Sequence, residues 1–324
     1  MESQSEDIKS TENSDEAKVS ENTSNKVGSD DTEDGSLDEN RLDREKFIKK
    51  LKDGEYKCIN VMTGAGISVS SGIPDFRSPK IGLYAVLKEK YDMDDPSDIF
   101  NITTFMENPQ VFYDFSKEFN WDEYDPTPTH YFIGFLHKKN LLDNYITQNI
   151  DCLEYKAGIP KEKIVAAHGD LSGAECPKCR QEQSLSEFKR HVKEGTIYYC
   201  EKCAEKGNQV PIKPTVVFFG ENLPMDFFTT MQKIPNADCN IVIGSSLVVS
   251  PFNFLPTLIP NDAAAVTINM EPISHIPRLT SEKNALFLEG KCDEVIDELI
   301  KDLGWKEEFD EFVAEVKATQ EAKI

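Results

Sequence analysis

Short apolar runs recur along the chain, and most end on small or polar residues. Cys58–Met62, Leu141–Asn149, Lys163–Ala167, Pro211–Phe219, Asp238–Val249, Ala264–Asn269 and Ala285–Leu288 contain such runs. Apolar stretches this short, bounded by turn residues, fit strands buried on both faces of a sheet. Between them the spacing shifts to a helical period. Leu42, Phe47, Ile48 and Leu51 mark a short amphipathic helix. Val295, Ile296, Leu299, Ile300 and Leu303 mark another over Cys292–Leu303, with Gly304 as its C-terminal stop. From Lys80 to about Leu142 the chain reads as mostly helical, punctuated at Pro96, Pro109, Pro126 and Pro128. Phe100, Phe105, Phe112, Phe115, Phe119 and Trp121 supply the core of a small helical subdomain there. A last stripe, Trp305, Phe309, Phe312, Val313 and Val316, falls on one helical face with acidic residues between. The alternation of strands and helices predicts an α/β fold on a mostly parallel, doubly wound sheet.

Composition sharpens this in four ways. Met1 to about Asn40 carries 13 Asp/Glu against 3 Lys and no aromatic residue. Such a segment cannot bury enough apolar area to offset the entropy of ordering, so residues 1–44 read as a disordered acidic arm. The whole chain of 324 residues has a formal charge of −22, which disfavours direct contact with nucleic acid or anionic membrane and favours basic partners. The longest apolar runs are strand-sized, and the N-terminus lacks the apolar core of a secretory signal. Eight cysteines without an export signal point to thiols and metal, not a disulfide framework. An intracellular protein is expected.

The cysteines have their own pattern. Cys176-Pro-Lys-Cys179 and Cys200-Glu-Lys-Cys203 stand twenty residues apart. Two such pairs suit a four-thiolate tetrahedral zinc site, with a zinc-ribbon module over about 171–212. All four positions are filled by protein, so the metal is structural.

The strand ends carry the remaining polar chemistry. Cys58–Met62 opens onto Gly64-Ala65-Gly66, where glycine allows close approach to a phosphate, and amides at the start of a following helix bind an anion. The third glycine of G-x-G-x-x-G is missing, Val69 standing in its place. No strand-end acid follows to hold a ribose, which disfavours a nicotinamide dehydrogenase. Instead Gly72-Ile73-Pro74-Asp75-Phe76-Arg77-Ser78 puts an acid, an aromatic and an arginine beside the turn. Thr147-Gln148-Asn149-Ile150-Asp151 places amides and a carboxylate where open α/β sheets bind ligands. Lys163–Ala167 delivers His168-Gly169, and a histidine can take a proton near neutral pH with little tuning.

GAGIS followed by GIPDFRS, then TQNID, HG, the cysteine pairs, FFGENLP and GSSL, resembles the sirtuins, the NAD-dependent protein lysine deacylases. The resemblance covers residues 45–304. SPKIGLY is similar to the deacetylase branch, with Val86 where that branch carries asparagine. The family implies a Rossmann-like large domain closed by a smaller lobe made of the zinc module and a helical insertion at about 80–142. It also implies NAD as a co-substrate, with the pyrophosphate at Gly64, Ala65, Gly66 and Ser68, flanked by Asp75, Phe76, Arg77 and Tyr84. Gln148, Asn149, Ile150 and Asp151 would surround the nicotinamide ribose and carboxamide. Gly244, Ser245 and Ser246, then Asn269 and Glu271, and finally Cys292 would hold the adenosine half. Val217 and Phe218 would wall the acyl-lysine channel, and with Phe219, Gly220 and Glu221 form an edge pairing with a substrate peptide by strand addition.

In the implied mechanism the acyl oxygen of the substrate lysine attacks the ribose as nicotinamide leaves. His168 then removes a proton from a ribose hydroxyl, with Asn149 as the second catalytic group. Water completes release of lysine and O-acetyl-ADP-ribose. Asp170 departs from the small hydroxyl residue the family often has after His-Gly. The branch that prefers acidic acyl groups carries a tyrosine and an arginine soon after its FR motif. Here Arg77 is followed by Tyr84 without a second arginine, so acetyl-lysine is expected over succinyl-lysine. The expected partners are acetylated lysine-containing proteins, histone-like basic tails or cytoplasmic targets, with the cytoplasm placed ahead of the nucleus. A protein mono-ADP-ribosyltransferase on the same pocket and a non-catalytic zinc-ribbon binding protein stay open as alternatives.

Overall fold

The structure is a computed structural model, and it describes residues 40–75, 82–91, 95–117 and 123–322. Most of the acidic arm, Phe76 and Arg77, and Phe119 and Trp121 lie outside the described residues. The main sheet has six strands: β1 (Ile59–Thr63), β2 (Leu142–Thr147), β3 (Ile164–Ala166), β7 (Cys239–Ile243), β8 (Ala264–Asn269) and β9 (Ala285–Glu289). A second, three-stranded sheet holds β4 (Ala174–Glu175), β5 (Glu182–Gln183) and β6 (Lys213–Pro214). The main sheet runs β3-β2-β1-β7-β8-β9, parallel at every pairing. Chain order reverses between β1 and β7, and such a switch point opens a crevice at the carboxyl ends of the strands.

The two central strands are buried at every position, which explains their mostly apolar lettering. Their polar residues are Asn60, Thr63 and Asn240, and Asn144 stands beside Asn60 on β2. Asn144 donates to Asn60 (2.9 Å) and Asn60 to Asn240 (3.1 Å), a buried ladder that favours one register across β2, β1 and β7.

The helices are α1 (Arg44–Lys52), α2 (Leu83–Tyr91), α3 (Ile102–Glu107), α4 (Pro109–Ser116), α5 (Pro128–Lys138), α6 (Leu153–Lys156), α7 (Leu185–Glu194), α8 (Glu201–Ala204), α9 (Met225–Met231), α10 (Cys292–Leu303) and α11 (Lys306–Glu321). One face of the sheet packs against α1, α5, α10 and α11 through Phe47, Phe132, Phe135, Ile296, Ile300 and Phe309. The other face packs against α9 and the 3₁₀ segment Phe252–Leu258. A separate core joins Leu83, Phe100, Phe105, Phe112 and Phe115 to Cys176, Phe188, Cys200, Cys203 and Phe218. The helical insertion and the cysteine module therefore share one interior.

Two expectations change on contact with this packing. Helix α5 lies against the main sheet and not in the helical insertion. Its residues Tyr131, Phe132, Ile133, Phe135 and Leu136 are apolar nearly all round because it is buried nearly all round. Pro211–Phe219 is a ladder strand only at Lys213–Pro214. Beyond that, single long-range hydrogen bonds hold it, Val217 N to His168 O (2.7 Å) and Phe219 N to Phe100 O (2.7 Å).

Helix α10 ends at Gly304, whose φ of 71° is the left-handed C-terminal turn. The tail helix α11 then folds back on α5. Phe309 and Phe312 stand 5.6 and 5.7 Å from Phe135, centroid to centroid. Lys138 pairs with Glu315, and Lys139 pairs with Glu308 while lying over the Phe135 and Trp305 rings. Truncation after Gly304 should lower the melting temperature by on the order of 10 °C, from the burial lost at two phenylalanines. Calorimetry checks this, and a truncated chain that melts like the full one contradicts the packing.

Candidate functional site

A cleft of about 1080 Å³ opens at the switch point. Pockets for a single drug-sized ligand fall at roughly 300–1,000 Å³, so this one has room for a large ligand with a second group beside it. Its floor is made by the turns after β1, β2, β7 and β8, and its roof by Tyr84, Phe100 and the segment from Val216 to Glu221. Gly64, Ala65, Gly66, Asp75, Gln148, Asn149, Ile150, Gly244, Ser245, Ser246, Asn269 and Cys292 all face it, as do His168, Val217, Phe218, Phe219 and Gly220. Ser68 and Asp151 do not line it; they are buried behind the wall. Glu271 is exposed and outside the cleft.

The Gly64–Gly66 turn differs from the sequence expectation. No α-helix follows it; two three-residue 3₁₀ turns, Ala65–Ile67 and Val69–Ser71, take its place. Gly66 N donates to Gly244 O (2.8 Å), Ile67 N to Gly64 O (3.2 Å) and Ser68 N to Ala65 O (3.0 Å). Those amides are spent inside the turn. The glycine at position 66 answers to packing: a Cβ there would stand 2.7 Å from Gly244 Cα. The turns after β1 and β7 are thus pressed backbone to backbone, which a side chain would prevent.

Behind the turn, Ser68 Oγ donates to Asp151 Oδ2 (2.7 Å) and accepts from Asn149 Nδ2 (3.1 Å). Asn149 N donates to Thr147 Oγ1 (3.0 Å), so both ends of this residue are fixed. Gln148 Nε2 donates to Ser245 Oγ (2.7 Å), linking the β2 turn to the β7 turn. Asp151 Oδ1 also accepts from Leu153 N at the start of α6 (3.0 Å). These bonds make Gln148 and Asn149 a rigid polar floor.

His168 stands at the end of β3 with Nδ1 3.0 Å from the Gln148 carbonyl oxygen. A carbonyl only accepts, so Nδ1 carries the hydrogen and the basic lone pair of the neutral ring is on Nε2. Phe252 flanks the imidazole at 6.4 Å. Gly169 has φ +66°, and a Cβ there would meet Thr215 O at 2.0 Å, so the turn requires glycine. The bonds of Asp170 go elsewhere: its carboxylate accepts from Tyr155 OH (2.8 Å), Ser172 N (3.0 Å), Ser172 Oγ (2.6 Å) and Thr215 Oγ1 (3.2 Å). It braces the segment after His168.

Along the roof, the Val217 and Phe219 amides are taken as above, and Phe218 N donates to Glu221 Oε2 (2.9 Å). Glu221 N donates back to Phe218 O (2.9 Å), so the Val217, Phe218, Phe219 and Glu221 amides all have partners within the fold and do not form the open edge expected for strand addition. Phe218 itself is buried, 4.9 Å from Phe112 and 5.4 Å from Phe105.

The four cysteines converge. Cys176 and Cys203 sulfurs lie 3.7 Å apart, as do those of Cys179 and Cys200, and all four sulfurs fall within 4.8 Å of one another. A tetrahedron with metal–sulfur bonds of roughly 2.3 Å has edges of about 3.8 Å, so the set fits zinc. Burial pushes the Cys176 thiol up to about 12, whereas the backbone amide of Gln181 pulls Cys179 down to about 7. Stabilising four thiolates together needs a dication.

Several residues that build the site had no strong local signal. Asp293 accepts from Thr129 N (3.0 Å), Thr129 Oγ1 (2.6 Å) and Ser70 Oγ (2.5 Å), tying α10, α5 and the Gly64–Gly66 loop together. Thr127 caps α5 and donates from Oγ1 to Ile67 O (2.9 Å). Thr-Pro-x-His at 127–130 is readable as a helix start with proline at its first position. Glu154 is fully buried with no hydrogen-bond partner on either carboxylate oxygen, and burial together with nearby Asp151 drives its pKa well up, so it keeps its proton at neutral pH. Burial likewise pushes His130 down and holds it neutral.

Among the described residues, no helix is long and apolar enough to cross a membrane. The model of the Sir2 family matches residues 64–251. NAD-dependent protein deacetylase hst2 of Schizosaccharomyces pombe is 39% identical over 83% of this chain and 79% of its own length. NAD-dependent protein deacetylase sirtuin-2 of Danio rerio is 36% identical over 90% of this chain and 79% of its own. NAD-dependent deacetylase sir2A of Dictyostelium discoideum is 40% identical over 83% of this chain, which spans about half, 53%, of that protein. The motifs read from the strand ends, the parallel sheet that gathers them at one cleft and these likenesses agree: the chain belongs to the Sir2 family, the sirtuins.

Proposed function

We infer that this protein is an NAD-dependent protein lysine deacetylase acting on acetylated proteins. The observation that carries the reading is the cleft at the switch point, where His168, Gln148 and Asn149 face the apolar wall of Val216, Val217 and Phe218. NAD bound in the cleft would supply the ribose carbon to which the acyl oxygen bonds, with nicotinamide as the leaving group. Gln148 and Asn149 orient that ribose, each held by a second hydrogen bond inside the fold. His168 takes a proton from a ribose hydroxyl at Nε2, while the Gln148 carbonyl stabilises the cation that forms on the ring. Asp151 acts from behind the wall, through Ser68 and Asn149. Cys292, buried at the start of α10, faces the adenine end as a neutral thiol, its pKa pushed up to about 12 by burial. Zinc bound by Cys176, Cys179, Cys200 and Cys203 is structural.

Apart from His168, Lys291 is the only basic side chain among the described residues that line the cleft, and it is paired with Glu294 (2.9 Å). No arginine among these residues stands ready for an acyl carboxylate, and a buried carboxylate without a cation is costly. The sequence after Arg77 likewise carries no second arginine before Arg180, which supports neutral acyl groups as the preferred substrates. The net charge of −22 favours lysine-rich segments such as histone tails, and the cytoplasm is the proposed compartment. The test is a panel of acyl-lysine peptides with NAD, scored for nicotinamide release and product mass. Acetyl-lysine should be turned over at least about tenfold faster than succinyl-lysine, since an unpaired buried charge costs more than 1.4 kcal/mol. Faster succinyl removal contradicts the acyl assignment, and ADP-ribose left on the peptide points to transfer instead of deacetylation.

A further inference from the structure

Behind the cleft roof, and joined to it at Glu221, lies a cluster of four charges of which Lys213, Glu175 and Arg180 have no part in the mechanism above. Lys213 is 1% exposed at its side chain, and its ammonium stands 3.0 Å from Glu221 and 3.3 Å from Glu175. It also donates to Val216 O (2.7 Å) and Pro214 O (3.2 Å) and lies 5.1 Å from the centre of the Phe218 ring. Glu221 is 5% exposed and accepts from Phe218 N. Arg180 closes the set, 2.8 Å from Glu175 and 3.3 Å from Glu221. Two positive and two negative groups balance, as burial of charge demands.

The chain positions of these four residues give the cluster its meaning. Glu175 directly precedes Cys176, and Arg180 directly follows Cys179. Both therefore sit on the first metal knuckle, whose turn is closed by Arg180 N donating to Cys176 O (2.9 Å). Lys213 pairs with Glu175 across the β4–β6 ladder. On the far side, its bonds to Val216 O and to Glu221 grip both ends of the segment that roofs the acyl channel. The Glu221 carboxylate turns inward to hold Phe218 N, which fixes the Phe218 side chain against Phe105 and Phe112. Lys213 does not itself line the cleft.

We propose that Lys213 is a positioning residue for the acyl-lysine substrate, coupling the ordered metal knuckle to the Val216–Glu221 roof through Glu175, Arg180 and Glu221. This rests on the deacetylase reading. The knuckle anchors one side of the ammonium, the roof strand hangs from the other, and the apolar wall presented to the acyl chain keeps its shape only while both are attached. The nucleotide end of the cleft is built by the turns after β1, β2, β7 and β8, which the cluster does not touch, so the effect is selective for one substrate.

The test compares Lys213→Met, Lys213→Arg and Arg180→Gln with the wild type, each zinc-loaded and full length. Lys213→Met should raise KM for an acetyl-lysine peptide about tenfold or more, the loss expected of a hydrogen-bonded buried charge, while KM for NAD moves less than about twofold. Lys213→Arg should recover most of the loss, because it keeps the charge and the donors. Arg180→Gln, at a half-exposed side chain, should give a smaller rise of the same kind and retains the buried Lys213–Glu221 pair if the methionine variant fails to fold. A second readout needs no turnover: amide exchange at Phe218 and Glu221 should quicken about tenfold in Lys213→Met while β1 and β7 stay protected. Equal rises in both KM values, or unchanged exchange at the roof, overturn the proposal. If the wild type turns over no acyl peptide, the deacetylase reading fails, and the exchange measurement still decides whether Lys213 holds the roof.

Discussion

Replacing His168 by alanine will lower deacetylation by about a hundredfold or more, the range of general-base contributions, and leave NAD affinity within a few fold. The expectation rests on three features of the site. A bond from Nδ1–H to the Gln148 carbonyl orients the imidazole and places the basic lone pair on Nε2. The ring is half-buried beside Phe252, so its rotamer is limited by packing as well as by hydrogen bonding. The ring touches the floor only at the Gln148 carbonyl, while the floor's side chains are held from elsewhere: Gln148 by Ser245, and Asn149 by Ser68, with Asn149 N on Thr147. Removing the imidazole therefore deletes the proton acceptor without dismantling the contacts proposed for the ribose. Steady-state rates with an acetyl-lysine peptide, together with calorimetric titration of NAD, measure the two quantities separately. Near-normal turnover in the alanine variant takes His168 out of the mechanism, and loss of NAD binding in parallel makes it a binding residue.

What the sequence disclosed and what it withheld follow from the range of the interactions. The β1, β7 and β8 strands were legible because a strand buried on both faces must be apolar at nearly every position, and turn residues bound it on either side. His168 and the four cysteines were legible because their chemistry is carried by residue type and spacing within a few residues. The bracing of the Gly64–Gly66 loop was not: Ser70 and Asp293 are 223 residues apart, and no periodicity announces that bond. The same holds for Lys213, a charged residue inside the apolar run Pro211–Phe219 whose carboxylate partners stand 8 and 38 residues away in the chain, and which is almost wholly buried. Helix α5 falls within the proline-punctuated stretch that the sequence predicts as a helical insertion, yet its apolar surface packs on the main sheet. The Gly64–Gly66 turn was read for a phosphate, and its second glycine answers first to the backbone of Gly244. Local pattern identified the elements and the reactive groups; the contacts that hold those groups in place were set by tertiary structure.

Replacing Cys176 or Cys203 by alanine will abolish stoichiometric zinc binding and unfold the small lobe, with loss of activity as the consequence. Each of the four sulfurs occupies one vertex of the set, so deleting one leaves three ligands and opens the site to water. For a closed four-thiolate site the binding free energy is folding free energy, on the order of 10 kcal/mol in small zinc modules. That is far more than the short strands β4, β5 and β6 supply by themselves. Damage will reach beyond the metal, because Cys176, Cys200 and Cys203 are buried in the same core as Phe112, Phe188 and Phe218. Phe218 belongs to the cleft roof, so a loosened module loosens the acyl channel. The main sheet has its own two cores, one on each face, and should stay folded. The expected result is two separated thermal transitions in the variants, the lower one from the small lobe, with metal analysis near zero. The wild type stripped by a strong chelator should behave in the same way. A wild type that carries no near-stoichiometric zinc, or a cysteine variant that melts and turns over like the wild type, refutes a structural metal at these four residues.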